Sequence, residues 1–247
     1  MLKEERQQYI ISQLNIHNKV LSTDLSAQLD VSEDTVRRDL NELADLGKIF
    51  KVYGGALSKS FHYPFSAREV YNKEGKKAIA RKALGLIESG MVLVVSGGTT
   101  MLELARMFPE DLYCTIFTVS PLVGIELAEH PNITVNLLAG RLELNSHIVT
   151  GSQVISQLSE IKADLCFLGT NGISLGNGIS DSDWEVVQVK KAMINAAHKT
   201  ALLCISEKLD SSKRMKICNF NAVDYLITDL HLDSALIEKY AAKVTVI

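Results

Sequence analysis

Nine residues, Ser32-Glu-Asp-Thr-Val-Arg-Arg-Asp-Leu40, permit few local structures. A serine stands before two acids and an apolar residue, the order expected where a helix starts. Its hydroxyl can cap the first free amides, and the acids meet the positive end of the helix dipole. Val36, Leu40 and Leu43 then recur at i, i+4 and i+7, giving one buried stripe. Arg37 and Arg38 fall on the polar side with Thr35, and Gly47 supplies a C-terminal stop.

The flanking sequence extends the pattern. Residues 2–15 place Arg6, Tyr9, Ile10 and Leu14 near helical spacing, and Asn15 to Lys19 form a polar break. Ser22 or Thr23 is expected to cap a second helix carrying Leu25 and Leu29, with a turn at Asp30-Val31-Ser32. Ile49–Tyr53 and Ala56–Ser58 read as two strands joined at Gly54-Gly55. Two helices, a capped third helix and a hairpin make a winged helix-turn-helix, whose third helix enters the major groove of double-stranded DNA. Arg37 and Arg38 can fork onto guanine or grip phosphate, while Lys48, Lys51 and Tyr53 stand where a wing touches the backbone. The bland alternative is a solvated helix with the arginines paired to Asp34 and Asp39.

Charge limits what one copy can do. The 247-residue chain has a net charge of -3, and residues 1–60 hold eight Lys/Arg against nine Asp/Glu, a balance of -1. Phosphate neutralisation supplies much of DNA affinity. A homo-oligomer, dimer or tetramer, that adds half-sites is therefore expected. The four cysteines are far apart without CxxC spacing and read as small buried hydrophobes in a reducing cytosol. No His/Cys/Asp spacing indicates a metal, and no cofactor is expected. Without a signal peptide or an apolar run near the ~20 residues of a membrane helix, a cytoplasmic protein is expected, with no membrane partner.

Residues 58–72 lack periodicity and contain Pro64, so residues 59–72 read as a linker between a domain at 1–58 and one at 73–247. A basic helical run follows at 73–89. Beyond it, apolar runs at 91–95, 115–119, 133–138, 164–168, 201–205, 225–228 and 244–247 alternate with helical segments near 100–107, 121–129, 151–160, 183–198 and 232–242. Such alternation predicts an α/β domain with a mostly parallel sheet covered on both faces.

Ser96-Gly97-Gly98-Thr99-Thr100 follows a strand and opens a helix. Two glycines let backbone approach a ligand, and the hydroxyls and helix amides can hold an anion; a plain strand-to-helix turn would look the same. Thr150-Gly151-Ser152 is a fainter version. Arg141 and Lys208 are candidate phosphate contacts or ordinary surface cations, and His147 lies near the Arg141 loop. Asp181, Asp183 and Glu185 cluster at a helix start, as acceptors for sugar hydroxyls or as dipole-compensating acids. Lys190 lies about 140° round an ideal helix from Glu185, so those two do not share a face.

The segment from Val31 to Leu43, followed by Gly47-Lys-Ile-Phe-Lys-Val-Tyr-Gly-Gly-Ala56, resembles the N-terminal domain of the DeoR family of bacterial transcription regulators. Lys51 and Tyr53 stand where that family usually has Arg and His. The resemblance continues through Ser96–Thr100, Ala139-Gly140-Arg141, Phe167–Ile173, and Asp183-Trp-Glu185 leading to Lys190. It implies a sugar-phosphate-isomerase-like effector domain. Ligand contacts would come from Ser96, Gly97, Gly98, Thr99, Thr100, Ser120, Gly140, Arg141, Asn171, Gly172, Asp183, Glu185, Lys190 and Lys208. Ser32, Thr35, Arg37, Arg38, Lys48, Lys51 and Tyr53 would form the DNA-binding set.

Three positions depart from the family pattern: Ser96 and Ile205 replace common acids, and Val119 replaces a usual Asn. Each loses a polar group at a strand end, which points to an effector with fewer or differently placed hydroxyls. The expected function is a transcriptional regulator, a repressor of a carbohydrate operon controlled by a phosphorylated sugar or related metabolite, with no catalytic residues. The alternative is a sugar-phosphate isomerase with a DNA-binding appendage, in which Glu185 or Asp183 would serve as general base.

Overall fold

The computed structural model describes residues 1–17, 19–58, 71–144, 146–231 and 233–247. They form two compact units, Met1–Tyr71 and Asn72–Ile247. Of the expected linker at 59–72, residues 59–70 lie outside the described residues, while Tyr71 closes the first unit and Asn72 opens the second.

In the first unit, α1 (Lys3–His17), β1 (Lys19–Leu21), α2 (Ser22–Leu29), α3 (Glu33–Asp45), β2 (Ile49–Val52) and β3 (Gly55–Ser58) surround one apolar core. Val36, Leu40 and Leu43 are buried in it, as the stripe requires. Ser32 Oγ accepts the Thr35 amide at 3.2 Å. The helix closes at Gly47, whose φ of 66° lets the Lys48 amide reach the Leu43 carbonyl at 2.8 Å.

Two expectations fail here. Ser22 is the first helical residue of α2, Leu21 occupies the cap position, and no side chain caps that helix. The Ser22 amide instead donates to the Gly54 carbonyl at 2.8 Å. The break after α1 also holds a strand: β1 pairs antiparallel with β3, giving a three-stranded sheet in the order β1-β3-β2. Three residues are too few to show a period in sequence. β1 explains the second glycine of the hairpin, since a Cβ on Gly55 would lie 1.9 Å from the Val20 carbonyl oxygen. Gly54 is required for a different reason, its φ of 75°.

The second unit opens with α4 (Lys73–Leu84), shorter than the run to 89 because Gly85 ends it. β4 (Val92–Val95), α5 (Thr99–Arg106), β5 (Cys114–Thr118), α6 (Pro121–Leu127) and β6 (Ile133–Leu137) follow. A hairpin, β7 (Arg141–Leu142) and β8 (Val149–Thr150), precedes α7 (Ser152–Ser159) and β9 (Ala163–Gly169). Then come β10 (Gly172–Ser174), β11 (Gly178–Asp181), α8 (Trp184–Asn195), β12 (Ala197–Leu203), β13 (Met215–Cys218), β14 (Tyr225–Ile227), α9 (Ala235–Ala241) and β15 (Thr245–Val246).

Seven of these strands form one parallel sheet in the order β15-β14-β12-β9-β4-β5-β6. All seven apolar runs of the sequence lie in it, so the α/β fold class is the one observed. The chain travels outward from β4 to β6, then returns to the other side of β4 with β9. The switch point thus lies between β4 and β9, where open α/β sheets bind ligands beyond the carboxyl ends of their strands. The β7–β8 hairpin and a small antiparallel sheet, β10-β11-β13, were not expected from the sequence. No helix among the described residues is long and apolar enough to cross a membrane.

Candidate functional site

α3 separates its charges by depth. Asp39 is buried and receives both the Nε and Nη2 of Arg6 from α1. It is therefore not a surface partner of the arginines beside it. Arg37 makes two exposed pairs within its own helix, each at 3.5 Å, with Glu33 and Asp34. Such pairs are worth a few tenths of a kcal/mol and are easily exchanged for phosphate. Arg38 is exposed and makes no ion pair among the described residues. Thr35 Oγ1 lies 3.0 Å from Ser32 Oγ at the helix start. On the hairpin side, Lys48 is exposed, Lys51 donates to Asn41 Oδ1, and Tyr53 at the turn is fully exposed.

In the second unit the candidate loops gather at the carboxyl ends of the parallel strands. The Ser96 amide donates to the Phe167 carbonyl at 3.0 Å, so the loop after β4 and the end of β9 meet at the switch point. Gly97 has no room for a side chain, because a Cβ would stand 2.5 Å from Ile148 and 3.2 Å from Ser120. Gly98 is the cap residue of α5 at a φ of 111°, with open space where a Cβ would point. Thr99 and Thr100 form the first turn, and their amides carry the positive end of the α5 dipole. Gly151 repeats this geometry at the start of α7, with a φ of 107°.

Several other candidates are engaged in packing. Ser120 caps α6 by accepting the Val123 amide at 3.4 Å. Gly140 is required by the hairpin, since its Cβ would lie 2.8 Å from the Thr150 carbonyl, and Arg141 projects from β7 exposed. Gly172 lies against Ser180 and Ser212, where a Cβ would stand 3.0 and 3.1 Å from its neighbours, a tight fit. Ser96, Val119 and Ile205 are all buried at strand ends. Val119 belongs to the apolar core itself.

Asp181, Lys190 and Asn171 form one buried network. Lys190 Nζ donates to Asp181 Oδ2 at 2.7 Å, and Asn171 Nδ2 donates to Oδ1 at 3.0 Å. Burial alone would push the Asp181 carboxyl up, but Lys190, Asn171 and the Ser182 amide together hold it below its ordinary value. Asp183 caps α8 by accepting the Val186 amide at 3.2 Å, and Glu185 lies half-buried in the first turn. Lys208 Nζ donates to the Thr170 carbonyl at 2.8 Å, which brings the turn after β12 to the switch-point loop. Burial pushes the Lys208 amine down to about 8. His147 takes a φ of 51° in the hairpin loop.

Sequence reasoning missed a cluster of charged and polar residues around Lys208. Lys76 is buried on α4, and burial first, then Lys208, pushes its amine down to about 7 against the pull of Glu207, Glu103 and Asp229. Asn72 caps α4 and donates to both Glu207 and Asp229. Only the Asn72-to-Gly75 spacing, a cap signal, could have revealed part of this. A separate open pocket of about 260 Å³, lined by Leu175, Phe220, Asn221 and Lys243 among others, lies by the chain entering the last two strands, away from these loops. Among the described residues no cluster of His, Cys, Asp or Glu is placed to hold a metal ion.

Residues 6–61 match the family model of a DeoR-like helix-turn-helix domain, and residues 71–230 match that of the DeoR C terminal sensor domain. The HTH-type transcriptional repressor GlcR of Bacillus subtilis (strain 168) is 33% identical over 93% of this chain and 89% of its own length. The L-fucose operon activator of Escherichia coli (strain K12) is also 33% identical, over 92% of this chain and 96% of its own. Among solved structures, ribose 5-phosphate isomerase A from Methanocaldococcus jannaschii aligns over 56% of this chain and 55% of its own, with a TM-score of 0.41 and 19% identity.

Proposed function

The chain belongs to the DeoR family of transcriptional regulators, and from that premise we propose that it represses a carbohydrate operon under the control of a phosphorylated metabolite. Residues 1–58 read an operator in double-stranded DNA, 59–72 connect, and 73–247 bind the effector. The observation that carries this reading is the division of charge on α3: Asp39 is withdrawn into a buried pair while Arg37 and Arg38 stay exposed. With Ser32, Thr35, Lys48, Lys51 and Tyr53, those arginines form the proposed DNA-binding set.

The proposed effector site lies at the switch point. Gly97, Gly98, Thr99 and Thr100 cradle the phosphate at the start of α5, and Lys208 and Arg141 add cations. Asn171, Glu185 and the residues around them face the sugar part, while Lys190 and Asp183 support them from their ion pair and cap. The loss of acids at 96 and 205 suits a ligand with fewer or differently placed hydroxyls than a common hexose phosphate. Since a repressor and an activator are equally identical relatives, transcription from the promoter with and without the protein reads the sign of regulation.

Two copies or more are required on this reading, because one DNA-binding unit carries too few free cations. The protein works in the cytoplasm. Retardation of a DNA fragment from its own promoter, relieved by one member of a phosphosugar and phosphopolyol panel, is the expected result. Failure to retard any promoter fragment would overturn the regulator. Strong thermal stabilisation by a common hexose phosphate would overturn the narrower statement about hydroxyls.

A further inference from the structure

Asn72 is the first residue of the second compact unit, reached directly from the connector. Its backbone is left-handed, at φ 47° and ψ 49°, a region that non-glycine residues use sparingly although asparagine tolerates it best. One amide side chain holds it there. Oδ1 accepts the Gly75 amide at 3.1 Å, and Nδ2 donates to Asp229 Oδ2 at 2.9 Å and to Glu207 Oε1 at 3.2 Å. Asp229 accepts the Ser206 amide through its other oxygen at 2.7 Å. Asn72 thus ties the first turn of α4 to the loops after β12 and β14. Gly75 enforces the closeness: a Cβ there would stand 2.3 Å from Asn72 Oδ1 and 2.7 Å from Asp229.

The turn that Asn72 grips, Ser206–Lys208, also carries Lys208, bonded to the Thr170 carbonyl at the switch point. We infer that Asn72 is the positioning residue through which effector occupancy reaches the connector, and this rests on the reading of the protein as an effector-controlled DNA-binding regulator. The ligand class is a polyol phosphate. Its anion draws Lys208 away from Thr170, or its hydroxyl donates to Glu207, and either event moves the turn and takes acceptors from Asn72 Nδ2. The left-handed conformation then loses its support, and the first turn of α4, where the second unit begins, relaxes.

The test uses the full chain and a DNA fragment carrying its own promoter, with no ligand added. Asn72→Ala removes the bridge and should alter operator affinity by about five-fold or more, the lower end of ordinary allosteric coupling. Asn72→Gly also lacks the amide but accepts a φ of 47° freely, so it should behave like Asn72→Ala. Wild-type affinity in both variants would overturn the inference, and so would restoration by glycine alone, which would reduce Asn72 to a backbone requirement. If either variant fails to fold by circular dichroism, Glu207→Ala at an exposed position, which removes that acceptor, is read instead; a shift in affinity supports the inference and an unchanged affinity overturns it. A wild-type protein that does not retard the fragment would overturn the regulator reading itself, and the inference with it.

Discussion

Arg6 in α1 and Asp39 in α3 form a two-pronged ion pair, Nη2 to Oδ1 at 3.2 Å, with side chains only 12% and 3% exposed. The pair fixes the helix that carries Arg37 and Arg38 against the first helix of the unit. Asp39→Ala would leave the guanidinium buried without its partner. A loss of about 3–5 kcal/mol is expected, the range for breaking one side of a buried pair. Urea unfolding followed by circular dichroism measures it, and a loss below ~1 kcal/mol would show the pair to be incidental.

The exposed arginines should behave differently. Arg37→Ala and Arg38→Ala are expected to leave stability within about 0.5 kcal/mol of wild type, because neither side chain is packed. Operator binding should weaken in both. Contact with a base gives a discrimination loss of ~1–3 kcal/mol at one operator position, whereas contact with phosphate lowers the salt slope by about one unit. Fluorescence anisotropy across a salt series separates the two, and unchanged affinity and slope in both variants would place the DNA on another face.

Adjacent glycines of the hairpin predict unequal costs. Gly54→Ala forces an alanine to a φ of 75° with free space around it, so a loss of roughly 1–2 kcal/mol is expected. Gly55→Ala drives a methyl into the Val20 carbonyl at 1.9 Å and cannot be accommodated without separating β1 from β3. It should therefore unfold the winged unit at temperatures where Gly54→Ala is still folded. Equal melting temperatures for the two variants would contradict this account.

Lys190 and Asp181 allow a pH experiment. The carboxyl is held below its ordinary value of 3.8, so its contribution is fully present above that pH. It is lost as pH falls through the lowered folded value, where the folded state must take up the proton. Lys190→Met should destabilise by about 3–5 kcal/mol at neutral pH and flatten the acid limb of the stability curve. The double variant Lys190→Met, Asp181→Leu should recover much of that loss, since the stranded charge is gone. A double variant no more stable than the single one would count against the buried pair as the cause.

Lys76 gives a slope of the same sign in a higher pH window. Its amine sits at about 7 in the folded protein against 10.5 unperturbed. Between those values the unfolded chain holds a proton that the folded chain does not, so stability rises with pH across that window. Replacing the amine in Lys76→Met should flatten the rise, and denaturant titrations from pH 6.5 to 9.5 read it. A slope unchanged by the substitution would mean that another group is responsible.

What was legible in the sequence follows from how much chain each feature needs. Parallel strands buried on both faces leave apolar runs, so Val92–Val95 and Ala163–Gly169 could be read directly. β7 and β8 have two residues each, too few for any period to show. Asp39 could have been placed, since it falls on the helical face of Val36 and Leu43, but its neighbouring arginines suggested the surface. Asn72 could not, because the carboxylates that define it come from positions 207 and 229. Gly140 looked like a ligand glycine, and only the path of β8 shows why a side chain is excluded there.

The switch-point loops grow from the ends of strands whose interiors are locked into the sheet, and none of them belongs to Met1–Tyr71. On the proposed reading of that site, a substitution at Ser96 or Ile205 changes which metabolite is recognised without altering a residue of the proposed DNA-binding set. Descent with modification can retune the signal and the genomic address independently. The resulting regulators would keep one architecture while answering to different diets.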